Sequence, residues 1–348
     1  KKGLDDGETF YTWQAGIPDL REALARYHQR HFPGPFAPDR FYVTGSGMQS
    51  IQLALQATAG AGEEVVYLSP AWPNFAACLA IAGGRPVPAA LDFGQGGWSL
   101  DVGRIERAVT PKTRALFINT PSNPTGWTAD HSTLQAILDL ARARGLWIIA
   151  DEIYTHFHYP DPASGRPRGR APSFMDVMDP ADRIIFVNSF SKNWAMTGWR
   201  IGWVTVAPEL GPMVENLIQY STSGVAQFMQ RGAAAALDHG DGFIDSQVDR
   251  ARKARDILCD RLLATGRARL SPPEGAFYLF FGVEGISDSF AAAFDIVDRT
   301  GVGLAPGTAF GPGGEAFFRV CFNRRLDHIE TAADRLAEWI AGPEVRIA

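Results

Sequence analysis

The sequence predicts an α/β protein: a mostly parallel sheet covered on both faces, followed by a smaller C-terminal domain. Three observations carry this reading. Short apolar runs bounded by Gly and Pro alternate with helical patterns up to residue 206. Those runs are continuous rather than alternating in polarity, as strands covered on both faces require. Beyond residue 206 the pattern changes to a long helical region and then to short strands.

In chain order, residues 1–8 are polar, and the opening reads as that of a fragment whose true start is missing. Residues 11–30 hold a loop and an amphipathic helix with Asp19 as its cap and Leu20, Ala23, Leu24 and Tyr27 on one face; Pro33-Gly34-Pro35 ends it. A strand at 41–44 turns through Gly45-Ser46-Gly47 into a helix at 48–59. A strand at 64–69, ended by Pro70 and Pro73, leads to a helix at 74–82 and a strand at 86–91. The strand at 115–119 ends in Pro121-Ser122-Asn123-Pro124-Thr125-Gly126. A helix at 134–144 closes on Gly145, and a strand at 146–150 ends at Asp151. Residues 159–172, rich in Pro, Gly and Arg, read as a surface loop with solvated charges. The strand at 183–187 enters Asn188-Ser189-Phe190-Ser191-Lys192, and a strand at 203–206 follows. The helical region spans 208–263, with breaks near Gly224 and at Gly240-Asp241-Gly242. Strands are expected at 276–281, 303–305 and 317–322, and a last helix at 326–341. The domains divide as an N-terminal segment, 1–30, packing near the small domain; a large domain, 31–240; and a small one, 241–348.

With 348 residues, 46% of them hydrophobic and 20% charged, the chain can bury a large core. A net charge of −5 argues against nucleic acid as a partner. No apolar run is long enough to span a bilayer, and no signal peptide is visible. Cys78, Cys259 and Cys321 are widely spaced, which points to a reducing, cytoplasmic setting and gives no zinc-ligand spacing.

The chemistry gathers at strand ends, where open α/β sheets bind ligands. Alone, Lys192 reads as a surface lysine; with the hydroxyls of Ser189 and Ser191 and the cation of Arg200 beside it, it reads as a Schiff-base lysine next to a phosphate site. Asp151 is either a loop carboxylate or the partner of a pyridinium nitrogen. Tyr154 and Asn123 could donate to the ring oxygen of such a cofactor; for Asn123 in a Pro/Gly turn the alternative is turn chemistry. Ser46, Gly47 and Met48 sit at a helix start, where N–H groups attract phosphate. Trp72 is flat enough to stack on a ring or simply to fill core. Arg319, inside the apolar run Phe317-Phe318-Arg319-Val320-Cys321-Phe322, needs a partner: a substrate carboxylate, or a structural Asp or Glu.

Together these motifs resemble the class I/II aminotransferases, pyridoxal-phosphate enzymes of fold type I related to aspartate aminotransferase. The resemblance runs over YTWQAGIPDLREAL (11–24), NTPSNPTG (119–126), DEIY (151–154), SFSKNWAMTGWRIGW (189–203), EGAFYLF (274–280), APGTAFG (305–311) and FRVCF (318–322). It implies a three-layer α/β/α large domain with a smaller α+β domain, and pyridoxal 5'-phosphate as cofactor. Lys192 would hold the cofactor and shuttle the proton, Asp151 would pair with the ring nitrogen, and Tyr154 and Asn123 with the ring oxygen. Ser46, Gly47, Met48, Ser189 and Arg200 would hold the phosphate, Trp72 would stack on the ring, and Arg319 would take the substrate α-carboxylate, with Asn123 and Trp72 beside it. Tyr11 matches a tyrosine that reaches the neighbouring subunit's phosphate, which implies a homodimer with shared sites. Met48 departs from the polar or basic residue of many relatives, and Trp13-Gln14 from a common Pro-Thr. Trp13, Trp72, Trp127 and Phe157 suggest an apolar-tolerant pocket. No arginine is assigned to a second, side-chain carboxylate; Arg168 and Arg170 lie in the 159–172 loop. The implied reaction is ping-pong transfer of an amino group from an L-amino acid to a 2-oxo acid. A carbon–sulfur β-lyase and a non-catalytic effector-binding module are the alternatives on the same scaffold.

Overall fold

The structure, a computed structural model, describes residues 1–160 and 169–342. In chain order its elements are α1 (Lys2–Asp5), α2 (Pro18–His31), β1 (Phe41–Thr44), α3 (Gly47–Thr58), β2 (Glu64–Ser69), α4 (Asn74–Ile81), β3 (Arg85–Ala90), β4 (Asp92–Gly94), β5 (Gly97–Ser99), α5 (Val102–Ala108), β6 (Thr113–Asn119), α6 (His131–Arg144) and β7 (Trp147–Asp151). There follow β8 (Ile184–Ser189), α7 (Phe190–Asn193), β9 (Gly202–Thr205), α8 (Gly211–Ser221), α9 (Gln227–His239), α10 (Asp241–Leu263), β10 (Ala268–Arg269), β11 (Tyr278–Val283), α11 (Ser289–Thr300), β12 (Ala305–Pro306), β13 (Phe317–Cys321) and α12 (Leu326–Ala341).

A seven-stranded sheet in the order β1-β9-β8-β7-β6-β2-β3 forms the large layer. Its ladders from β8 to β3 are parallel, and β9 runs antiparallel to both neighbours. Because side chains alternate along a strand, each continuous apolar run feeds two cores. Val66, Leu68, Leu116, Ile118, Ile148 and Phe186 join the core under α2, α5, α6 and α9. Val65, Tyr67, Ala115, Phe117, Ile149 and Val187 join the opposite core, under α3, α4 and α8. The second sheet, β10-β11-β13-β12, is antiparallel and packs one face on α10, α11 and α12.

Several expectations change. The N-terminal segment does not pack on the C-terminal sheet: Leu20, Ala23, Leu24 and Tyr27 of α2 are buried in the large-sheet core, and α2 lies along α9. Asp19 is not a cap, because Pro18 already starts the helix; it lies in the first turn and forms an ion pair with Arg231. Helix α6 begins three residues before its first apolar position, since the Asp130 side chain accepts from the Thr133 N–H. Strand β11 starts at Tyr278 rather than at residue 276, because Ala276 takes a left-handed φ of 57° that a strand cannot contain. The hairpin β4–β5 and helix α5 carried no expectation. Arg170 is not solvated: it pairs with Asp176 at 2.5 Å and stacks on Phe32. Residues 161–168, Arg168 among them, lie outside the described residues. No described helix is long and apolar enough to cross a membrane.

Candidate active site

The parallel strands β6, β7 and β8 end side by side, with Asn119 opposite Asp151 and Asp151 opposite Val187. Asn119 was not singled out from the sequence, although a polar residue closing the run ALFIN is a usable signal. Its Nδ2 donates to the Asp151 carbonyl at 3.0 Å, and its Oδ1 accepts from the Asn123 N–H at 2.8 Å. The loop bearing Asn123 is thereby pinned to the strand bearing Asp151.

Asp151 is 3% exposed and its Oδ1 has no hydrogen-bond partner. Burial pushes its pKa up to about 7, against the lowering pull of the Ile153 N–H and of Lys192. The next residue, Glu152, is equally buried and also pushed up to about 7, but it is satisfied: the Ser173 hydroxyl donates to it at 2.5 Å and the Phe174 N–H at 3.0 Å. Asp151 lines a cavity walled also by Trp72, Ser122 and Asn123.

Two further turns meet, one at the start of α3 and one at the start of α7. Ser46 caps α3, its hydroxyl accepting from the Gln49 N–H at 3.2 Å. Ser189 caps α7, accepting from the Ser191 N–H at 3.1 Å. The turns touch because of glycines: a Cβ on Gly202 would lie 2.7 Å from the Asn188 carbonyl oxygen and 3.0 Å from the Gly47 nitrogen. Gly202 was not among the expected site residues, and only the tertiary contact identifies it. Arg200, at a left-handed φ of 51°, donates to the Thr197 carbonyl at 2.6 Å and lies 3.5 Å from the Ser191 hydroxyl. Met48 is partly buried against the α3 core.

Lys192 sits on α7, with Nζ 5.8 Å from the centre of the Tyr154 ring and 5.9 Å from that of Phe277. Its pKa is lowered, chiefly by burial, with Cys321 and Asp151 opposing and Arg200 and Arg319 adding to the effect. Tyr154 is buried, and its hydroxyl donates to that of Tyr278 at 3.4 Å. Arg319 projects from β13, and its Nη1 donates to Asn123 Oδ1 at 3.0 Å. No carboxylate among the described residues pairs with it, and its Nε is buried without a partner. A structural Asp or Glu partner for this arginine is therefore not found.

The structure thus links Asp151, Asn123 and Trp72 along one cavity, Arg319 to Asn123 and Lys192 to the Tyr154 ring, while the turns of Ser46-Gly47 and Ser189 meet each other and Arg200 lies by Ser191. Tyr11 is not brought in: it is 91% exposed on its own chain. Of the aromatics expected to wall the pocket, only Trp72 does so. Phe157 is fully buried in the small-sheet core, Trp127 packs on the large-sheet core, and Trp13 is exposed. The donor set fits a flat group with an anionic end: N–H and hydroxyl donors at the helix start, an unmet carboxylate oxygen, and an amine of depressed pKa.

A family profile described as Aminotransferase class I and II matches residues 1–336. The chain is 31% identical over 337 residues to an aspartate aminotransferase of Thermotoga maritima, covering 97% of this chain and 85% of the relative. It is 33% identical over 344 residues to aromatic-amino-acid aminotransferase 2 of Thermococcus litoralis, covering 97% and 85%. The crystal structure of an aspartate aminotransferase from Thermotoga maritima matches with a TM-score of 0.89 at 30% identity, over 98% of this chain and 86% of that one.

Proposed function

The chain belongs to the class I and II aminotransferases, and on that premise we propose that its cleft carries an amino group from an L-amino acid to a 2-oxo acid in two half-reactions at Lys192. The family depends on pyridoxal 5'-phosphate, which supplies an aldehyde and an electron-withdrawing ring to stabilise negative charge at the substrate Cα. The single observation that carries the reading is a pair of buried polar atoms without partners near Lys192: the Oδ1 of Asp151 and the Nε of Arg319.

In this reading Lys192, whose pKa burial lowers, would hold the cofactor and would then move the proton from the substrate Cα. Asp151 Oδ1, buried without a partner, would accept from the cofactor's ring N–H, and that positive charge would favour the carboxylate that burial alone disfavours. Asn123 already spends its Oδ1 on Arg319, which leaves its Nδ2 to donate to the ring oxygen beside Tyr154. Trp72, which lines the cavity with Asp151, would stack on the ring. The N–H groups at Gly47 and Met48, the Ser46 and Ser189 hydroxyls and the Arg200 guanidinium would hold the phosphate. Arg319 takes the substrate carboxylate with the donors that Asn123 leaves free.

We assign cofactor binding to residues 31–240 and the carboxylate subsite to 241–348. The exposed run Phe10, Tyr11 and Trp13 supports a homodimer in which Tyr11 reaches the partner's phosphate site. Three free cysteines support a cytoplasmic setting.

The test is to load the protein with pyridoxal phosphate, reduce it with borohydride and map the label. A label at Lys192, with release of the matching 2-oxo acid from an amino acid when no acceptor is present, is the expected result. A protein that takes up no cofactor overturns the reading. Release of ammonia and pyruvate from a cysteine conjugate would move it to the β-lyases.

A further inference from the structure

Tyr278 begins β11 and shares a core with Tyr154. It is 8% exposed. Its Cα pairs with Cys321, which places it diagonal to Arg319 on one face of the β11–β13 ladder. The Arg319 guanidinium lies 4.5 Å from its ring centre, and the Tyr154 hydroxyl donates to its hydroxyl oxygen at 3.4 Å. One side chain therefore touches both the group that reads a carboxylate and the group that faces a ring oxygen.

We infer that Tyr278 is a positioning residue: its ring sets the Arg319 guanidinium, and its hydroxyl sets the direction of the Tyr154 proton. The inference rests on the aminotransferase reading of this cleft. Each phenol owns one proton, so the pair has two arrangements. As it stands, Tyr154 donates to Tyr278. The bond is long for O–H···O, so reversing it costs little. When an acceptor oxygen lies beside Tyr154, the Tyr154 proton turns to that acceptor and Tyr278 donates in its place. The two bonds then run in one direction and polarise each other. Burial raises the pKa of both phenols, so both keep their protons at neutral pH. The Arg319 charge over the Tyr278 ring makes that hydroxyl a better donor.

The two roles separate in two variants of the cofactor-loaded enzyme. Tyr278→Phe keeps the ring and removes the hydroxyl. The pH midpoint of the visible cofactor band is expected to rise by about half a unit and kcat to fall about threefold to tenfold, with KM within about twofold. Tyr278→Leu removes the ring as well, and KM is then expected to rise about fivefold. In a Tyr154→Phe background, Tyr278→Phe should leave the midpoint where Tyr154→Phe put it. An unmoved midpoint and kcat in Tyr278→Phe, or a shift of equal size in the Tyr154→Phe background, overturns the inference. If the wild-type protein shows neither band nor turnover, the aminotransferase reading falls and takes the inference with it. A wild type that turns over beside a silent Tyr278→Phe overturns the inference alone.

Discussion

At the seven-stranded sheet the functional groups hang from strand ends and the turns beyond them: Asp151 closes β7, Ser189 closes β8, and Lys192 follows on α7. The four-stranded sheet instead presents Arg319 from the middle of β13, opposite Phe280 and Ala305. The first arrangement is fixed at backbone groups: the Asn119 side chain clasps the Asp151 carbonyl and the Asn123 N–H, and two turns meet at a glycine-limited contact. The second is held by side chains, since Arg319 rests on the rings of Tyr278 and Phe310 and touches the large sheet through Asn123. Backbone fixes a site to a few tenths of an ångström, as a covalently held cofactor needs. A side-chain platform can be re-cut by substitution without disturbing the sheet. On the proposed reading, the difference would place reaction chemistry on the large sheet and substrate reading on the small one.

That division can be broken by mutation. The largest effect is expected from Lys192→Ala: the half-reaction, followed in single turnover with added cofactor, should fall by about 10⁴-fold or more. Retained turnover removes the lysine from the chemistry. Asp151→Asn should lower kcat by about 10²- to 10³-fold with little change in KM, because the ring nitrogen loses its ionic partner. Arg319→Ala should act the other way and raise KM about 10- to 100-fold, as for loss of a charge-assisted bond. A change in kcat alone would put Arg319 on the wrong side of the comparison. The smallest effect on turnover belongs to Glu152→Gln, since that carboxylate is spent on Ser173 and Phe174. Activity should stay within about threefold while stability drops by about 1 kcal/mol in urea unfolding.

The same two carboxylates give a pH test on the cofactor-free protein. Both have folded-state pKa values raised to about 7, from ordinary values of 3.8 and 4.5. As pH rises from about 4 to about 7 the unfolded chain releases these protons first, so the folded state binds more of them and stability falls over that window. Asp151→Asn and Glu152→Gln should each flatten the decline. A wild-type curve that rises through the window, with variants that match it, would refute the buried, neutral state of both groups.

Much of the site was legible in the sequence because its parts sit at punctuation. Asp151 closes an apolar run, and Asn123 and Lys192 each follow one across a turn; such runs, bounded by Gly and Pro, read as strands covered on both faces. Asn119 and Gly202 escaped notice because their roles are contacts between segments far apart in the chain. The packing of α2 was misplaced for a related reason. Its apolar face was readable, but an apolar face does not say which core it enters.

The sequence by itself determined the alternation of strands and helices, the strand ends where chemistry gathers, and the family to which those motifs bear likeness. Local propensity and hydrophobic period act over a few residues, so they are written in the chain directly. Only the tertiary structure decided that Asp151 is unmet and Glu152 satisfied, although the two are neighbours with similar burial. It alone decided that Arg319 meets an amide instead of a carboxylate, and that Tyr278 bridges to Tyr154. Which polar group finds a partner depends on residues brought together from distant parts of the chain, and no local pattern encodes that.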